Sequence, residues 1–234
     1  MKYLAAIAAT YMKRLLLLPG YLEDATIFDT LWPLLPLPPA AEVLAVELEV
    51  EFARWQPAGP ANAVTLARYL ARRYAIGPQD LLIGHSMGGW IAAHLKAQTG
   101  AVAVLLSSFT DQRKVVARVR NPLLLALYAW SGVGRSRWLR ERTKRHYQFD
   151  ESRALYAKVA DTMARYPRRY VHRQLQVLFA PVPPLAGQPE LRLHALADDV
   201  VRPPDEPYVA IPGDHFAHYY HPGLVAAAIK ETMK

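Results

Sequence analysis

The sequence predicts an α/β protein: a mainly parallel sheet flanked by helices, with a helical cap inserted between its two halves. Three observations carry that expectation. Through residues 13–111 short apolar runs alternate with stretches of helical periodicity, the pattern of a parallel sheet covered on both faces. The switches from strand to helix take very few residues. Residues 112–173 then break the pattern with long basic helical stretches, after which short strands resume.

The elements follow in order. Lys13 to Leu18 is a buried strand closed by Pro19-Gly20, and Val43 to Leu48 is a second candidate strand. Between residues 61 and 74, Val64, Ala67, Leu70, Ala71 and Tyr74 recur at helical spacing, and Gly77-Pro78 stops that helix. Asp80 to Gly84 is a strand, Met87 to Gln98 a helix ending at Gly100, and Ala101 to Leu106 a further strand. Beyond the basic segment, residues 176–189 are rich in Pro. Leu191 to Leu196 and Pro207 to Ile211 are short strands, and Pro222-Gly223 opens a last helix to Lys234. The expected division is therefore a core of residues 13–111 and 174–234, a cap of residues 112–173, and an N-terminal extension of residues 1–12.

At 234 residues, 52% of them apolar, the chain is long enough for one good core and too short for two ordinary domains. It contains no Cys, which excludes disulfide scaffolds, thiolate zinc sites and cysteine nucleophiles. Its net charge is +8, unevenly placed. Residues 112–173 hold 16 Lys or Arg against 4 Asp or Glu, a net of +12, which leaves −4 for the rest. No apolar run approaches the roughly 18 to 20 residues of a membrane span, so no transmembrane segment is expected. The opening MKYLAAIAATYMKR has too short an apolar centre for a secretion signal, and a cytoplasmic location is expected.

The strongest chemical signal is Gly84-His85-Ser86-Met87-Gly88, a G-x-S-x-G pentapeptide between a strand and a helix. Glycines at its ends let the chain turn sharply, so that Ser86 projects above the sheet and the Met87 N–H sits at a helix N-terminus. A Ser hydroxyl is a poor nucleophile near neutrality. It needs a His to take its proton and a carboxylate to hold that His. Ala197-Asp198-Asp199 follows one later strand and Gly213-Asp214-His215 the last one, both at strand C-terminal ends. Asp198 is assigned as the orienting acid and His215 as the base. No G-x-G-x-x-G or Walker loop is present, so nucleotide chemistry has no anchor.

With those residues in place, the chain resembles serine hydrolases of the α/β-hydrolase fold, in particular small bacterial capped hydrolases and esterases. GHSMGG matches their nucleophile elbow, LHALADDVVRPP resembles their acid segment, and IPGDHFAHY resembles their catalytic His segment. LLLLPGYLEDATIFDTLWPLL resembles the first oxyanion loop, where the family usually has His-Gly and this chain has Pro19-Gly20. The resemblance implies that the Tyr21 N–H is the second oxyanion donor beside Met87, and that Pro rigidity replaces the missing His. It places the acid at Asp198, with Asp111 and Asp199 as alternative positions. Ala195 stands where the family usually has Gly, which requires negative φ.

Function follows as an expectation: cleavage of carboxylic esters or thioesters through an acyl-enzyme on Ser86, without metal or organic cofactor. The alternatives are a non-catalytic binding protein on the same fold, or a perhydrolase or acyltransferase with the same triad. His85 reads as a structural or pocket-wall residue, and His218 with His221 lack the spaced carboxylate of a metal site. Trp90 and Phe109 are candidates for an acyl pocket. The run LLLALYAW at 123–130 is expected to turn one face to the pocket and the other to cap packing. The basic cap suits a small-molecule substrate that is anionic or carrier-bound, or an anionic membrane surface, and carries no nucleic-acid module.

Overall fold

Among the described residues six strands make one sheet: Arg14–Leu18 (β1), Glu42–Ala45 (β2), Asp80–His85 (β3), Val102–Leu106 (β4), Leu191–Ala195 (β5) and Val209–Ile211 (β6). Their order is β2-β1-β3-β4-β5-β6 and every neighbouring pair is parallel. The computed structural model describes residues 12–185 and 187–232. The expected N-terminal extension therefore lies, up to residue 11, outside the described residues, as does the end of the last helix at 233–234.

Burial explains the strand sequences. β1 and β3 are central, and Leu15 to Leu18 and Leu81 to Ile83 are all buried, so both faces of each strand must be apolar. Alternation sends Leu16, Leu18 and Leu82 into one core and Leu15, Leu17, Leu81 and Ile83 into the other. The first core is covered by helices Ala63–Arg73 (α2) and Met87–Thr99 (α3), preceded in the chain by Leu48–Arg54 (α1). The second is covered by Ile27, Phe28 and Leu31 after β1 and by Val225 and Ile229 near the C-terminus.

Expected and observed elements differ in two instructive places. The run Val43 to Leu48 reads as a strand, yet β2 stops at Ala45 and Leu48 begins α1. Leu48, Phe52 and Trp55 are all buried, and their i, i+4, i+7 spacing outweighs the local alternation. Between β4 and β5 lie four further helices: Pro122–Ser131 (α4), Arg137–Arg145 (α5), Arg153–Arg165 (α6) and Arg168–Phe179 (α7). The boundary drawn after Arg173 falls inside α7, whose Val171, Leu175 and Leu178 join the first core. The C-terminal helices are Ala217–Tyr220 (α8) and Pro222–Thr232 (α9). Among the described residues no helix is long and apolar enough to cross a membrane.

The topology positions the site. From β1 the chain runs outward to β2, then returns past β1 to β3 and proceeds steadily to β6. That reversal opens a crevice between the C-terminal ends of β1 and β3, where an open parallel sheet takes its ligands. The β3–α3 turn closes so tightly that a Cβ on Gly88 would lie 1.9 Å from the Leu18 carbonyl oxygen. Gly223, in contrast, has nothing within 4 Å of such an atom among the described residues. Gly88→Ala should therefore cost about 3 kcal/mol or more in urea unfolding. Gly223→Ala should stay within about 0.5 kcal/mol of the parent or stabilise it.

Candidate active site

Ser86 occupies the sharp turn between β3 and α3 with φ 51° and ψ −119°, a region that costs a non-glycine residue about 1–3 kcal/mol. Neighbouring groups hold it there. Its N–H donates to the Leu106 carbonyl at 3.0 Å, and its own carbonyl accepts from the Gly89 N–H at 3.1 Å and the Ser108 hydroxyl at 2.6 Å. The Met87 N–H opens α3, where the first amides of a helix have no intrahelical acceptor. Among the described residues it has no backbone or side-chain acceptor at all, and neither does the Tyr21 N–H.

His215 follows β6 and Asp198 follows β5. The His215 Nδ1–H donates to Asp198, with its oxygens at 2.9 and 3.0 Å, and the Asp198 side chain is fully buried. Backbone amides of Val200 and Val201 also donate to Asp198 Oδ1, at 2.9 and 2.8 Å. Burial pushes the Asp198 carboxyl up, but the His215 charge and these hydrogen bonds outweigh it and hold the group below its ordinary value. For His215 burial pulls the imidazole down, and the Asp198 charge and hydrogen bond hold it above its ordinary value. The alternative carboxylates are elsewhere. Asp111 accepts from the Arg113 guanidinium at 2.8 Å, and exposed Asp199 accepts, among the described residues, only a long contact of 3.4 Å from Gln148. Ala195 lies in a strand and is not among the positive-φ residues, as its place in the acid segment requires.

The loop after β1 holds a feature that sequence reasoning missed. Glu23 is buried, and its Oε2 accepts the Gly20 N–H at 2.6 Å and faces His85 Nδ1 at 2.8 Å. His85 Nε2 in turn lies 2.9 Å from the His215 carbonyl oxygen. A carbonyl only accepts, so Nε2 carries a hydrogen and donates to it, while Nδ1 faces the Glu23 carboxyl. Glu23 thus does for the loop what Pro19 rigidity was expected to do. The available signal was His85 itself, a polar residue that ends a strand directly after the apolar run Leu81-Leu82-Ile83-Gly84 and is in need of a partner. Behind it lies His218, kept neutral by burial and by its His neighbours, with ring centroids 4.1 Å apart.

Helices between β4 and β5 hold the same loop. Leu22 adopts φ 62°. Its N–H donates to Gln174 Oε1 of α7 at 3.3 Å, and its carbonyl accepts from the Thr162 hydroxyl of α6 at 2.8 Å. Ser86, His215 and Tyr21 open onto one cavity of about 250 Å³. Its far walls are Tyr128 of α4, Leu139 of α5, and Tyr156, Val159 and Met163 of α6. Arg140 also lines it, with one guanidinium nitrogen 2.9 Å from Asp161.

Other candidates are placed differently from expectation. Trp90 and Phe109 are core residues, stacked at 5.3 Å, with the Trp90 indole donating to the Val177 carbonyl. The run at 123–130 sends Tyr128 to the cavity and packs Leu125 against the first core, but Leu123, Leu124 and Leu127 face outward. His221 lies 3.4 Å from Glu151, apart from buried His218.

Residues 15–228 match the model of the alpha/beta hydrolase family, and the chain belongs to that family. It is a hydrolase of that class. No curated protein matches it. Among solved structures it is similar to the enol-lactonase from Burkholderia xenovorans LB400, with TM-score 0.66 and 12% identity over 94% of this chain and 91% of that one. It is similar also to the RedJ thioesterase of the prodiginine pathway in Streptomyces coelicolor, with TM-score 0.55 and 17% identity over 96% and 91% of the two chains. For a thermophilic esterase from Thermogutta terrifontis the TM-score is 0.60, at 16% identity over 94% and 88%. At these identities the likeness is one of fold.

The Asp198–His215 contact has a pH signature. Asp198, depressed below 3.8, contributes stability above that value and loses it as pH falls through its folded value. His215, raised above 6.5, contributes below that value and loses it as pH rises through its folded value. The stability gap between parent and Asp198→Asn in urea should therefore be widest between pH 3.8 and 6.5 and narrow on both sides.

Proposed function

We propose that the protein hydrolyses carboxylic esters or thioesters by acyl transfer, through an acyl-enzyme on Ser86. One observation carries the reading: Ser86 and His215 open onto the same cavity while the Nδ1 of His215 is held by a buried carboxylate. With Nδ1–H so occupied, Nε2 is the basic nitrogen. His215 Nε2 takes the Ser86 proton as Oγ attacks the carbonyl carbon, and Asp198 stabilises the imidazolium. The Met87 and Tyr21 N–H groups, free of acceptors, receive the oxyanion, each worth about 10² to 10³ in rate. The imidazolium then protonates the leaving alcohol or thiol. Water attacks the acyl-enzyme by the same route, and Ser86 is regenerated.

The substrate in this reading is a small-molecule ester or thioester whose acyl part is apolar, because the cavity walls are mainly Leu, Val, Met and aromatic. The basic insertion supports an anionic or carrier-bound leaving group, and the fold is shared with a thioesterase, a lactonase and an esterase. The cytoplasm is the proposed location.

A fluorophosphonate probe should add covalently to Ser86, read by mass spectrometry, and Ser86→Ala should take up none. An unlabelled but folded parent would overturn the reading. The kcat/KM for a soluble ester should rise with pH through a midpoint above 6.5, since the base must be neutral and Asp198 holds it protonated longer. Asp198→Asn should lower that midpoint and reduce kcat by about 10⁴-fold.

A further inference from the structure

Helix α4 contains no charged residue, and its ends define it without help from the core. The Asn121 side chain accepts the N–H groups of Leu123 and Leu124 at 2.9 and 3.3 Å, Pro122 takes the first position, and Gly132 stops the helix at φ 74°. Its inner face carries Tyr128 to the cavity and buries Ala129. Its outer face presents Leu123, Leu127 and Trp130 at i, i+4, i+7, exposed by 81, 64 and 49%. Leu124 lies beside them. Trp138 on α5 is 71% exposed. Single exposed leucines are ordinary, whereas a stripe of them on one helix is an unsatisfied surface.

The chain on either side of the stripe is basic. Residues 112–140 contain seven Lys or Arg and no Asp or Glu. Arg118 and Arg120 are exposed just before α4, and Arg137, Arg142 and Arg145 are exposed on α5. The Arg142 guanidinium lies 5.7 Å above the Trp138 ring.

We propose that the outer face of α4, together with the exposed Trp138 and arginines of α5, docks this protein on an anionic membrane surface. Leu123, Leu124, Leu127 and Trp130 enter the boundary between headgroups and acyl chains, and the flanking arginines meet lipid phosphates. The helix has ten residues, so it lies on the bilayer and does not span it. Exposed Trp beside Arg is the composition of such a boundary. An acidic protein would match the arginines, but the aliphatic stripe offers it no polar register, and a fluid acyl layer needs none. Docking goes beyond the hydrolytic reading and does not require it. If both hold, lipid-borne esters meet the cavity beside Tyr128 and Leu139.

The test uses the full chain carrying Ser86→Ala, so that no lipid is consumed. It should co-sediment with vesicles of phosphatidylcholine plus phosphatidylglycerol and bind about tenfold or more weakly to phosphatidylcholine alone. Leu123→Ser and Leu127→Ser together should weaken binding to the anionic vesicles by at least about tenfold, with the circular dichroism spectrum unchanged. Emission of Trp130 and Trp138 should be quenched by brominated lipid. The proposal is overturned if the parent stays in solution with anionic vesicles, or if the double variant binds as the parent does. It is overturned equally if an acidic acyl carrier protein binds where vesicles do not. Vesicle binding is read without turnover, so its failure is separate from failure of the fluorophosphonate test.

Discussion

The buried contact between Glu23 and His85 ties together the three loops on which the site depends. Glu23 takes the Gly20 N–H of the loop after β1, His85 ends β3 immediately before Ser86, and His85 Nε2–H holds the carbonyl of His215 after β6. Loops are otherwise the parts of a fold least constrained by its core. Here one carboxylate and one imidazole place all three relative to one another. Breaking a buried pair by removing one partner typically costs about 3–5 kcal/mol, because the remaining polar group cannot be rehydrated.

Strain is concentrated where the chain leaves the sheet at β1, β3 and β4. Three of the four non-glycine residues with positive φ among the described residues are Leu22, Ser86 and Ser107, following β1, β3 and β4. Each is held by a partner from another element. Ser86 is gripped by Leu106 and Ser108, Ser107 donates to the Leu193 carbonyl, and Leu22 is clamped by Thr162 and Gln174. Strained backbone persists only where the surroundings over-determine it, and that condition is met on both sides of the crevice.

Much of this was legible in the sequence, for physical reasons. Buried parallel strands must be nearly continuous in apolar residues, and a strand-to-helix turn of such sharpness must carry glycines, so β1, β3 and the Ser86 turn announce themselves. The contact between Asp198 and His215 was readable because chain order and strand ends restrict where partners can lie. Glu23 was not. A glutamate in a loop reads as solvated unless its burial is known, and burial is a tertiary fact. The same gap hid the outer face of α4, since LLLALYAW has apolar residues all round and periodicity cannot say which face lacks a neighbour. The start of α1 and the extension of α7 to Phe179 were lost to the same cause: packing partners far along the chain decided them.

The grip of Thr162 and Gln174 on the two backbone groups of Leu22 bears on how this protein can diversify. Helices that merely roof a crevice are modular, and a lineage or an engineer can exchange them whole. Those between β4 and β5 supply a donor and an acceptor that keep a left-handed leucine in place, so replacements would have to bring the same pair at the same height. Heritable change in selectivity is thereby channelled into point replacements on the inward faces of α4 to α6, such as Leu139, Val159 and Met163, with the framework around them carried along intact.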